Sequence, residues 1–151
     1  MIANGIFALT IIFLFSSAFA ADNIMVHNAW IRSAPPNAKV LAAYMLIMNK
    51  SDEPIALTSV SSRLFEKVHI HKTEMEGGMM KMVLQKQLDI LAGESLLLEP
   101  GGYHLMLMKP KSVPQVGEQV DLELKFDNGK TLSINVPVRA AKGESMMEGH
   151  H

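Results

Sequence analysis

Tyr103-His104-Leu105-Met106-Leu107-Met108 is the stretch from which the fold is read. Its residues alternate between metal-donor types and leucine. Successive side chains of a strand point to opposite faces, so period-two alternation marks a strand and not a helix. Leu105 and Leu107 then share one face, suited to a core. His104, Met106 and Met108 share the other. Val68-His69-Ile70-His71 follows the same rule, with both histidines on one face. In Met80-Lys81-Met82 the two methionines again coincide. Three separate strand candidates therefore place imidazole or thioether groups at period two.

Working outward, further short apolar runs appear at 25–31, 40–48, 55–60, 65–71, 79–84, 95–98, 120–126 and 130–138. Breakers such as Ser33-Ala34-Pro35-Pro36-Asn37 and Pro100-Gly101-Gly102 separate them. Asp127-Asn128-Gly129 between two runs predicts a hairpin closed by a type I′ turn. No stretch keeps a 3.6-residue apolar period over helical length. The pattern predicts an all-β chain, an antiparallel β-sandwich or barrel of eight or nine short strands.

The chain has 151 residues, no cysteine and twelve methionines, with 14 basic against 15 acidic residues. The formal net charge of −1 leaves no basic excess for phosphates, so nucleic-acid binding is not expected. Zero cysteine excludes disulfide scaffolds, thiolate zinc sites, iron–sulfur clusters and thiol catalysis. Residues 6–15 form an apolar run too short to span a bilayer, and Ala18-Phe19-Ala20 supplies a small-x-small cleavage pattern. The expectation is a signal peptide over 1–20, cut after Ala20, although Met1 to Gly5 lacks Lys or Arg. A single domain over 21–139 follows, without stable membrane insertion. A polar tail over 140–151 is expected to be flexible. Met45 and Met48 are expected in the core. His27, alone in the first strand, is expected to be a surface or hydrogen-bonded residue and not a ligand.

Periodicity alone leaves three uses for the His/Met face. It serves as a metal site, as an adaptable protein-binding surface, or as core with the leucines outside. The core reading would bury His71 and His104 among thioethers without hydrogen-bond partners, a cost that a metal relieves.

Ten residues separate His71 from Met82, twenty-one separate Met82 from His104, and one separates His104 from Met106. With Pro100-Gly101-Gly102-Tyr103 before His104, and Asn28-Ala29-Trp30-Ile31-Arg32 upstream, this spacing resembles the PCuAC family of periplasmic copper chaperones. The resemblance covers roughly 25–138. Two departures stand out: Lys72 follows the first histidine where many members have Met, and His69 is an additional donor. The resemblance implies a cupredoxin-like β-sandwich in which His71, Met82, His104 and Met106 bind Cu(I). It implies a periplasmic carrier that delivers copper to the binuclear copper site of a cytochrome c oxidase subunit, alongside Sco-type proteins. No enzyme is expected, because no nucleophile–base arrangement is visible and four donors leave no open position. Copper buffering without a dedicated acceptor, or a metal-free interaction module, are the rival readings. His69, Met75, Met80, Met108 and the tail residues Met146, Met147, His150 and His151 are candidate donors for a second copper.

Overall fold

A computed structural model describes residues 23–141. The expected signal peptide lies outside the described residues, as does the tail beyond Ala141. The described residues form ten strands: β1 (Ile24–Arg32), β2 (Val40–Asn49), β3 (Ile55–Ser61), β4 (Phe65–Glu76), β5 (Met79–Gln85), β6 (Leu88–Ile90), β7 (Ser95–Leu98), β8 (Tyr103–Pro110), β9 (Gln119–Phe126) and β10 (Thr131–Arg139). No helix occurs among the described residues. The fold is all-β, as expected, but with ten strands in place of eight or nine. The additional one is β6, whose three residues are too few to show a period.

The strands run in the order β5-β4-β8-β7-β2-β1-β10-β9-β3-β6. Pairing is antiparallel except at two short contacts. β1 meets β10 in parallel through Ile31–Val138 and Arg32–Arg139, and β7 meets β8 through Leu98–Tyr103. The β1–β10 contact joins two halves of the ladder. Side chains from both halves meet in one core, including Ile31, Ala43, Met45, Ile47, Leu105 and Leu107 from one and Leu57, Leu122, Leu124 and Val136 from the other. This layering is what strands with one apolar face require.

Leu105 and Leu107 are fully buried, as the alternation predicts. Met45 is also core. Met48 is not: it sits on the opposite face of β2 from Met45, half-buried beside Met25. An odd separation along a strand forces that outcome. The 126–131 hairpin forms, with a different turn. Gly129 N–H donates to Phe126 O at 3.1 Å, and only Gly129 of the loop has positive φ, at 81°. This is a type I turn followed by a left-handed glycine, not type I′. Asp127 Oδ1 accepts from Ala56 N–H at 2.9 Å and ties the loop to β3. The two-residue loop with both φ positive lies instead between β4 and β5, at Gly77 (60°) and Gly78 (81°).

Asn49 is the buried clasp at the end of β2. Its Nδ2 donates to the carbonyls of Glu53, Ile90 and Leu91, and its Oδ1 accepts from Ser51. Thus β6 is held to the sheet by a side chain as well as by β3.

Candidate metal centre

β4, β5 and β8 are neighbours, so their donor-bearing faces form one surface. The register sets its rows. His71 lies directly opposite His104, and His69 directly opposite Met106. Ala42 of β2 flanks Met106 on its other side, and Met108 stands between Lys67 and Val40. The rings of His71 and His104 are 5.9 Å apart, edge to face at 75°. Those of His69 and His71 are 5.8 Å apart. Trp30 and Tyr44, with ring centroids 4.8 Å apart and planes tilted by 42°, continue this face onto β1 and β2.

On the other side of β4, the residue directly opposite His71 is Leu84. Met82 faces Thr73 and is therefore the diagonal neighbour of His71. Diagonal pairs lie about 7–8 Å apart at Cα, within reach of a long side chain. The four expected donors thus fall on one face of three adjacent strands. They differ in exposure: His104 is 3% exposed, Met106 is half-buried, and Met82 is 56% exposed. His27 is exposed on β1.

The imidazoles carry the strongest local signal. His104 Nδ1 lies 3.1 Å from the carbonyl of Gly102. A carbonyl only accepts, so Nδ1 carries the hydrogen. In the neutral ring the lone pair is then on Nε2. That Nε2 is buried without a partner, and so is Nδ1 of His71. Buried polar atoms are nearly always paired, and an unpaired one costs about 1–3 kcal/mol. Two such nitrogens on facing rings fit a cation held between them. Burial, reinforced by the neighbouring His104 and His69 rings, holds the His71 pKa below its ordinary value, which favours the neutral, ligating form.

The donor chemistry is soft. Among the described residues no three of His, Cys, Asp and Glu group as metal ligands. The thioethers beside these imidazoles are soft donors, which suit Cu(I) and disfavour hard cations. The site is a surface, not a chamber. The cavities of about 490 and 550 Å³ are lined by other residues, and a shallow one of about 230 Å³ touches Met106.

Sequence reasoning did not find the Gly102 carbonyl as the group that orients His104. Backbone acceptors carry no residue-type signal, although the Gly101-Gly102 turn marked the place. It also missed Leu84 as the direct neighbour of His71.

The model of the LpqE-like family matches residues 24–138. The chain belongs to the LpqE-like family. A relative named as a lipoprotein, Lxx21020 of Leifsonia xyli subsp. xyli, is 30% identical over 124 residues, which is 82% of this chain and 74% of that protein. Among solved structures, the Cu(I) form of DR1885 from Deinococcus radiodurans is 35% identical, with a TM-score of 0.65 over 82% of this chain and 83% of that one. The copper-bound PCuAC domain of PmoF2 has a TM-score of 0.69 and 23% identity, covering 82% of this chain and 97% of that domain. The PCuAC resemblance read from the motif therefore holds, and this LpqE-like chain has the fold of PCuAC domains.

Proposed function

We propose that this protein is a periplasmic copper chaperone, and not an enzyme, that binds Cu(I) through His71, Met82, His104 and Met106. The observation that carries this reading is the pair of buried, unpartnered nitrogens on the facing His71 and His104 rings. The 35% identity to a protein solved with Cu(I) supports the choice of metal. Two imidazoles and two thioethers are all neutral, so bound Cu(I) leaves a net charge of +1 and Cu(II) would leave +2. The desolvation cost rises with that charge, which favours the lower oxidation state. Thioethers lose no proton on binding and form no disulfide in an oxidising compartment.

Delivery to the binuclear copper site of cytochrome c oxidase, alongside Sco-type proteins, is the role this chemistry suits. A thioether holds Cu(I) less firmly than a thiolate, so an acceptor with cysteines takes the metal downhill. His71 and His104 hold the copper while a thioether departs and an acceptor donor arrives. Met82 is the more exposed of the two thioethers and is the one that leaves. The signal peptide expected from the sequence supports a periplasmic location.

A Cu(I) competition titration against a bicinchoninate chelator tests the binding. The wild-type protein should take one tight equivalent. The His71→Ala, Met82→Leu, His104→Ala, Met106→Leu variant should lose it, and unchanged binding there overturns the reading. Delivery is tested by oxidase activity in a deletion strain, which should fall and recover with added copper.

A further inference from the structure

The β4–β5 hairpin extends beyond the rest of the sheet. The pairing of β4 with β8 ends at Lys72–Tyr103. Thr73 N–H still donates to Gly102 O at 3.1 Å. From Glu74 to Glu76, β4 pairs only with β5, and Gly77-Gly78 closes the tip. A two-stranded ribbon is marginally stable and has no core side of its own. Its two faces nevertheless differ. One carries charge, with Lys72–Glu74 at 3.3 Å and Lys81–Glu76 at 3.0 Å. The other carries Met75, Met80 and Met82, which are 67%, 69% and 56% exposed.

Three large, exposed apolar side chains on a two-stranded ribbon serve neither core nor solubility. Polar residues would fill these positions at lower cost. Their placement suits ligation. Met75 lies directly opposite Met80, and directly opposed residues have Cβ atoms about 4.5–5.5 Å apart. Met82 is on the same face, diagonal to Met75 on one side and to His71 on the other. Flexible thioether chains can bring three sulfurs around one ion.

We propose that Met75, Met80 and Met82 form an outer three-thioether site for a soft monovalent cation, Cu(I) or Ag(I), from which the ion passes inward to His71 and His104. This rests on the inner site proposed above. Met82 belongs to both positions and stays bound during the passage. The Cu–S bonds to Met75 and Met80 break. Bonds to His71, His104 and Met106 form. Copper remains Cu(I), and no electron or proton is exchanged, because the accepting nitrogens offer lone pairs. Two imidazoles make the inner position the tighter one, so movement is inward.

Met79 is an internal control. It is 74% exposed on the same strand but faces the charged side with Glu76. The test uses the full chain labelled at methionine methyl carbons. In a His71→Gln, His104→Gln variant titrated with Ag(I), the methyl signals of Met75, Met80 and Met82 should move together while that of Met79 does not. If only Met146 and Met147 move, or if Met79 moves equally, the outer site is overturned. In the wild-type background, stopped-flow loading from a Cu(I)–bicinchoninate complex should slow several-fold in Met75→Leu, Met80→Leu. Met79→Leu should keep the wild-type rate. Equal rates in all three proteins overturn the inward passage, whether or not the histidine variant folds. An inner site that fails shows separately, as first-equivalent affinity unaffected by the histidine substitutions.

Discussion

His71 on β4 and His104 on β8 face each other across one antiparallel pair, with ring centroids 5.9 Å apart and no hydrogen-bond partner for the buried nitrogen of either. Both strands are paired on both sides, β4 by β5 and β8, and β8 by β4, β7 and β2. The spacing of the two Cα positions that carry the rings is therefore set by backbone hydrogen bonding.

The two thioethers should contribute unequally. Met106 is half-buried between His69 and Ala42, so much of its rotamer freedom is already lost. Met82 is 56% exposed and must be ordered when metal binds. Ordering a methionine side chain costs about 1.5–2 kcal/mol at most. Met106→Leu should weaken Cu(I) binding about tenfold more than Met82→Leu, in line with a partial share of that cost. Equal losses in a chelator competition would contradict this ordering of roles.

Leu84 offers a gain-of-function test. It lies directly opposite His71, one row nearer than Met82. Met82→Leu should weaken binding, and adding Leu84→Met should recover most of the loss, because a direct cross-strand neighbour reaches the ring more easily than a diagonal one. If the double variant binds no better than Met82→Leu, the metal does not sit beside His71.

The stability of the copper-free protein should depend on pH through His71. Its pKa is held below the ordinary value of 6.5, by burial first and then by His104 and His69. Between those two values the unfolded chain binds more protons than the folded one, so stability rises with pH there. The contribution is complete above the unfolded value and is lost as pH falls from 6.5 toward the folded value. Thermal melts from about pH 7.5 down to about pH 5 should show a steeper fall in Tm for wild type than for His71→Asn. Parallel curves would show that His71 is not the group responsible.

Leu105 separates His104 from Met106 and is fully buried. Leu105→Ala should cost about 2–5 kcal/mol in denaturant unfolding, from lost burial and the cavity left behind. Copper stoichiometry at low temperature should remain one, since the donors on the other face are untouched. A loss below about 1 kcal/mol would mean that the site collapses around the smaller residue.

Much of this was legible in the sequence because alternation is a geometric rule. Leu105 and Leu107 went to the core face and His104 and Met106 to the opposite face because neighbours on a strand have no other choice. The spacing motif picked out His71, Met82, His104 and Met106, which the fold gathers on one face. What stayed hidden depended on partners distant in sequence. β6 exists because Ile55, Ala56 and Leu57 pair with it and Asn49 holds its carbonyl, and none of that shows in Leu88-Asp89-Ile90 itself. The turn at Asn128-Gly129 became type I with a left-handed glycine, and Asp127 anchors that loop to β3. Register is equally nonlocal. Only the pairing of β4 with β5 reveals that Leu84, and not Met82, stands across from His71.

β5 is an edge strand of the ladder, bonded along one side only. The candidate centre therefore straddles a mechanical boundary. Three of its donors are mounted on the interlocked interior of the sheet, and the fourth is mounted on its hem. Fraying of a few edge hydrogen bonds would withdraw Met82 and leave the imidazoles in place. A carrier assembled this way can open one coordination position by loosening its border, without disturbing the body of the fold.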